Sequence, residues 1–133
     1  MRPKSRIVLA AFAGMAIGVV GATAAIHAQQ ARTPPAYVIA EGAVNDPATA
    51  AETLKPYVEK MPETLAPFDH RFLVRGGKTQ ALEGEPPKSI VVIAFDSAAK
   101  AREWYDSPAY AAIRPIRQNA TKSRVYIVEG LAP

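Results

Sequence analysis

The sequence predicts an α+β domain of ferredoxin-like type, an antiparallel sheet with helices on one face. Three observations predict it. Elements read from hydrophobic periodicity and turn residues fall in the order strand, helix, strand, strand, helix, strand, which is the split βαβ arrangement. The stretch that carries them, after a leader spanning residues 1–28, is 105 of the 133 residues, enough for one such unit around one core. Hydrophobic content of 49 % and charged content of 21 % are those of a globular chain rather than a disordered one.

The leader reads as an export signal. Arg2, Lys4 and Arg6 precede residues 7–28, IVLAAFAGMAIGVVGATAAIHA, which hold no acid, lysine or arginine and end on small residues. The expected cut follows Ala28, with Ala24 in Ala22-Thr23-Ala24 as the second position. The basic residues are not an adjacent arginine pair, so a twin-arginine signal is not indicated. The alternative is a retained membrane anchor, since this run would reach about 33 Å as a helix. Residues 29–35, QQARTPP, then form a spacer before a domain at 36–131.

The first strand is Ala36–Val44, apolar on both faces. Asn45-Asp46-Pro47 then starts a helix, with Asp46 as cap and Pro47 at the first helical position. Leu54, Tyr57, Val58, Met61 and Leu65 repeat at helical spacing, and Pro56 and Pro62 should kink or segment this helix. HRFLVRGG, residues 70–77, contains the second strand, and KTQALEGE is a short strand or a loop arm. Ser89–Phe95 is the plainest strand, β-branched and bounded by turn residues. Asp96 or Ser97 caps a second helix with Ala98, Ala101, Trp104 and Tyr105. Ser107-Pro108 restarts it, and Tyr110, Ile113 and Ile116 carry its stripe to about Arg117. Ser123–Gly130 is the last strand. Helices cover one sheet face only. The other, with Tyr37, Ile39, Phe72 and Val74 as candidates, needs a cover, and a second copy would supply it, so a homodimer is expected.

Several function classes are disfavoured. The net charge of +4 is concentrated in the leader; residues 29–133 hold thirteen basic and twelve acidic side chains, with no basic stripe for nucleic acid. Cysteine is absent, which removes disulfides and thiolate metal sites. No nucleotide-binding glycine pattern, nucleophile elbow or H-E-x-x-H stands in the chain.

The candidate site residues are few. His70, the only histidine outside the leader, is the natural acid–base group but has no partner for a metal. Arg75 precedes Gly76-Gly77, where the backbone can bend and approach a ligand, and its fork suits a carboxylate or an enolate oxygen. The structural alternative is an ion pair to Glu41, Glu83 or Glu129. Trp104, Tyr105 and Tyr110 either line a cavity under the second helix or fill it as core. Arg114 and Arg117, one helical face apart, either draw an anion to that cavity or solubilise the helix.

The segments AYVIAEGAVNDP, RFLVRGG, LEGE, VVIAFDS, AREWYDSPAY and IRQNATKSRVYIVEG resemble, in order, the bacterial family known as domain of unknown function 1330. The resemblance spans about Ala36 to Leu131. Members of that family usually carry Gly-Gly before the second strand, where this chain has Asp69-His70. The resemblance implies the dimeric α+β barrel superfamily, which includes cofactor-free monooxygenases, haem-degrading enzymes and muconolactone isomerase-like proteins, but no settled reaction. Residues and resemblance together set three expectations. The first is an exported homodimer that binds a small organic acid or aromatic compound, without cofactor or metal, between the sheet and the second helix. Its ligand-binding residues would be Arg75, Gly76, Gly77, Trp104, Tyr105, Tyr110 and Arg117. The second is a cofactor-free monooxygenase or isomerase using Arg75, His70 and Tyr105, with Tyr110 as a further proton-transfer candidate. The third is an interaction module with a filled core.

Overall fold

The structure, a computed structural model, describes residues 33–133. The leader, with both cleavage positions and the anchor alternative, lies outside the described residues. Among those described, no helix is long and apolar enough to cross a membrane.

The chain runs β1 (Ala36–Val44), α1 (Ala50–Leu65), β2 (His70–Arg75), β3 (Ser89–Phe95), α2 (Ala98–Asp106), α3 (Pro108–Ala120) and β4 (Thr121–Glu129). The strands form one antiparallel sheet in the order β2-β3-β1-β4. This is the predicted α+β, ferredoxin-like topology, with the second helix divided in two. The division falls at Ser107, whose side chain accepts from the Tyr110 N–H while Pro108 opens α3. Ser97 caps α2 in the same way, accepting from the Lys100 N–H.

Several boundaries differ from expectation. Asp46 does not cap α1. Its carboxylate accepts from the Ala48 N–H and the Thr49 hydroxyl, closing a turn that delays the helix to Ala50. Nor is α1 segmented, since it runs unbroken through Pro56 and Pro62. Each proline forfeits one backbone bond, and packing of α1 on α3 and the sheet holds the turns together. The loop 76–88 holds no strand, and α3 continues through Pro115 to Ala120, where Thr121 starts β4 directly.

Alternation and register assign the two sheet faces. Val38, Ile93 and Phe95 face the helices and join Met61, Leu65, Ala101, Trp104, Tyr110 and Ile113 in the core. Tyr37, Ile39, Val92 and Tyr126 lie on the uncovered face, in register across β3, β1 and β4. Phe72 does not belong with them. It pairs with Ile93 and packs on the core, whereas Val74 pairs with Val92 of the open face. The register shift between these residues is a β-bulge at Leu73, which is 44 % exposed. One extra residue restarts the alternation, so Arg75 falls opposite Val91 and back on the helix face.

Candidate functional site

A cavity of about 300 Å³ opens between α1 and the sheet. Leu54, Tyr57, Val58 and Met61 of α1 form its roof, and Ala40, Val44 and Val91 supply apolar wall from the strands. Arg75 and Gly76 stand at the end of β2, Arg117 enters from α3, and Thr121 and Ser123 come from β4. The position corrects the expected one, because the cavity lies under the first helix rather than the second.

Arg117 is the first polar group of this cavity. Its Nη1 donates to Ser123 Oγ at 2.8 Å, and Thr121 Oγ1 donates to the Arg117 carbonyl at 2.8 Å. Its Nε is buried without a hydrogen-bond partner among the described residues. A buried guanidinium donor left unpaired is costly, and since the Nε has no accessible surface, an acceptor in the cavity would meet Arg117 at its other guanidinium atoms. The end of α3 is itself tied to the end of β1. The Asn45 backbone N–H donates to the Ala120 carbonyl and its side chain to the Asn119 carbonyl, each at 2.9 Å. Gly42, in register with Ser123, keeps this wall close, because a Cβ there would collide with the Lys122 carbonyl oxygen.

Tyr57 is the second polar group. Its hydroxyl shares a 3.1 Å hydrogen bond with that of Tyr110. Burial, reinforced by Tyr110, pushes the Tyr57 phenol far above its ordinary range, and the nearby Arg117 guanidinium only partly opposes this. Tyr57 is therefore a neutral donor or acceptor, not a base.

Arg75 is exposed at the mouth, its guanidinium carbon 4.8 Å from the centre of the Phe72 ring. The ion pair considered for it does not form. Glu41 pairs instead with Arg124, and Arg75 makes no salt bridge among the described residues. Gly76 takes φ +68°, which glycine adopts without strain, so β2 can turn away immediately after Arg75. Gly77 does not line the cavity.

The aromatic candidates are placed elsewhere. Trp104 and Tyr110 are each 2 % exposed and pack at a tilt within the core, ring centres 4.2 Å apart. The Trp104 Nε1–H donates to Thr64 Oγ1, which in turn donates to the Met61 carbonyl, so this indole is a satisfied core residue. Tyr110 reaches the cavity only through Tyr57. Tyr105 borders a separate cleft of about 190 Å³ beyond Arg117, and Arg114 lies against the Tyr105 ring and donates to its carbonyl. His70 stands at the opposite end of β2 from Arg75, its Nδ1 2.8 Å from the Phe68 carbonyl. Arg75, His70 and Tyr105, the expected catalytic set, are thus not assembled. Tyr57, Thr121 and Ser123 are the cavity residues that sequence reasoning passed over. The available signal was a phenol within the apolar stripe of α1, which needs a partner when buried.

A known family model, that of DUF1330, a domain of unknown function, matches residues 35–131. The chain belongs to the DUF1330 family. No curated protein matches this DUF1330 chain in sequence. Among solved structures it is similar to a protein of unknown function from Rhodopseudomonas palustris, at 21 % identity and TM-score 0.60, over 82 % of this chain and 94 % of that one. A candidate antibiotic biosynthesis monooxygenase from Caulobacter crescentus matches at 17 % identity and TM-score 0.53, over 79 % and 98 %. A dimeric ferredoxin-like protein of unknown function from Thermobifida fusca matches at 18 % and 0.51, over 74 % and 92 %. At these identities the likeness is one of fold.

Proposed function

We propose that this DUF1330 protein binds a small organic acid in the cavity under α1, with its carboxylate or enolate oxygen on Arg117. The carrying observation is a guanidinium that Ser123 holds through Nη1, without a salt bridge among the described residues, lining a cavity beside an apolar wall. Leu54, Val58 and Met61 would cover the hydrocarbon body, and the neutral Tyr57 hydroxyl supplies a further hydrogen bond. Binding is preferred over oxygenase or isomerase chemistry because His70 and Tyr105 lie away from the cavity. It is preferred over a filled interaction module because the space is open and polar groups line it.

Thermal shift of the full-length chain with benzoate and short-chain carboxylates tests the reading. At about 100 times the dissociation constant a ligand adds about 2.7 kcal/mol, several degrees for a domain of this size. The shift should vanish in a folded Arg117→Met protein. An equal shift in that variant, or none in the wild type, contradicts the proposal.

Two further readings go with it. The open sheet face packs on that of a second copy, in line with the Thermobifida fusca neighbour being described as dimeric. Residues 1–28 direct export. N-terminal sequencing of the mature protein should find Gln29 first, or Ala25 for the second cleavage position. An intact Met1 in the membrane fraction would favour the anchor, and an intact Met1 in the cytosol would refute export.

A further inference from the structure

We propose that the occupant of this cavity is a short dianion, a dicarboxylate or a carboxylate–enolate, bridging Arg117 in the depth and Arg75 at the rim. This rests on the organic-acid reading above and adds a charge and a length to it.

The charge follows from the lining. The ionisable side chains around the cavity are Glu41, Tyr57, Arg75 and Arg117. By strand alternation Glu41 belongs to the open face of the sheet, where its carboxylate is paired with Arg124. Tyr57 stays a neutral phenol. Two guanidinium charges are therefore left without an acid among the described residues, and both border the same space. A monoanion on Arg117 would leave Arg75, exposed at the rim, with water in place of an acid. A second acid group on the same molecule matches both cations at once.

The bulge at Leu73 supports the pairing. Plain alternation from Phe72 would turn Arg75 to the open face, away from Arg117. The extra residue instead returns it to the helix face, where it rests on the Phe72 ring with its donors free of any carboxylate among the described residues. The length follows from the volume. A cavity of about 300 Å³ stands at the small end of organic-ligand sites, so a molecule that spans it is short. A chain of four methylenes between two carboxylates is of that kind. Val91, Leu54, Val58 and Met61 offer it an apolar path between the two arginines.

Calorimetric titration of the full-length chain with adipate and with hexanoate, at one ionic strength, tests this. Adipate should bind about tenfold tighter than hexanoate. Arg75→Met should bring adipate down to the affinity of hexanoate, and Arg75→Lys, which keeps the charge, should restore most of the preference. Arg117→Met should abolish binding of both acids. Equal affinities for the two acids in the wild type, both lost in Arg117→Met, would overturn the dianion while leaving the organic-acid site standing. An adipate preference that survives Arg75→Met would likewise remove Arg75 from the site. Absence of binding by adipate, glutarate, hexanoate and benzoate alike would overturn the site reading itself.

Discussion

Tyr57 and Tyr110 show how one buried hydrogen bond can connect a core to a cavity. Tyr110 is 2 % exposed, and among the described residues its hydroxyl has only Tyr57 as a partner. Tyr57→Phe should therefore destabilise the fold by about 1–3 kcal/mol, because a buried phenol is left unsatisfied. The double variant Tyr57→Phe/Tyr110→Phe should recover most of that loss. Urea unfolding of the two single variants and the double gives the coupling, and strict additivity would contradict it. The pair also fixes a pH dependence. The free phenol ionises near 10.0, while the folded Tyr57 is held protonated well above that. Above about pH 10 the unfolded chain thus sheds a proton that the folded chain keeps, and stability falls as pH rises. Tyr57→Phe should flatten this decline, and a decline as steep as in the wild type would assign it to other groups. None of this was legible from residue types alone. Tyr105 and Tyr110 stood out beside Trp104, whereas Tyr57 read as one more apolar position. Its importance comes from α1 packing on α3, which the local pattern of either helix does not encode.

Elements defined by local chemistry were legible, and those defined by a neighbour were not. β1 and β3 have their predicted bounds because apolar runs there end in residues that turn the chain. Ser107-Pro108 was readable as a restart because cap and first-position proline act within one turn. β2 was not fully readable, since whether Leu73 is paired or extruded depends on how Phe72 and Val74 meet β3. Period-two reading placed Phe72 and Val74 on one face, and the bulge separates them. The same bulge decides where Arg75 goes, so the site depended on the least legible element. A test follows from the geometry. Removing one residue from a regular strand turns every later side chain over. Removing an extruded residue does not, so deletion of Leu73 should leave Phe72 and Arg75 on the helix face. The deletion variant should melt within a few degrees of the wild type and keep its affinity for small organic acids. Loss of folding, or loss of Arg75-dependent binding in a folded variant, would show that Leu73 is an integral ladder residue.

At the scale of the molecule, the unanswered surface is the sheet face that no described helix covers. Ile39 of β1 lies between Val92 of β3 and Tyr126 of β4 in one cross-strand row, with Tyr37 and Val128 in the adjoining row. Tyr126 and Val128 are 40 % and 43 % exposed. A contiguous apolar row at the centre of a four-stranded sheet is what a soluble chain ordinarily covers. The described helices cannot do so, because α1, α2 and α3 all pack on the other face. A second copy applied sheet to sheet buries both rows at once and makes the contact self-complementary, as two-fold symmetry requires. The cavity under α1 is on the helix side, so assembly and ligand binding should be separable. Ile39→Lys places a charge in the middle of the row without touching the cavity lining. Light scattering after size exclusion should give the wild type a mass of two chains and Ile39→Lys a mass of one. The variant should keep its helical circular dichroism and its Arg117-dependent binding of organic acids. A variant that stays dimeric would move the interface off this face. A monomer that has lost binding would mean that the partner subunit shapes the cavity as well.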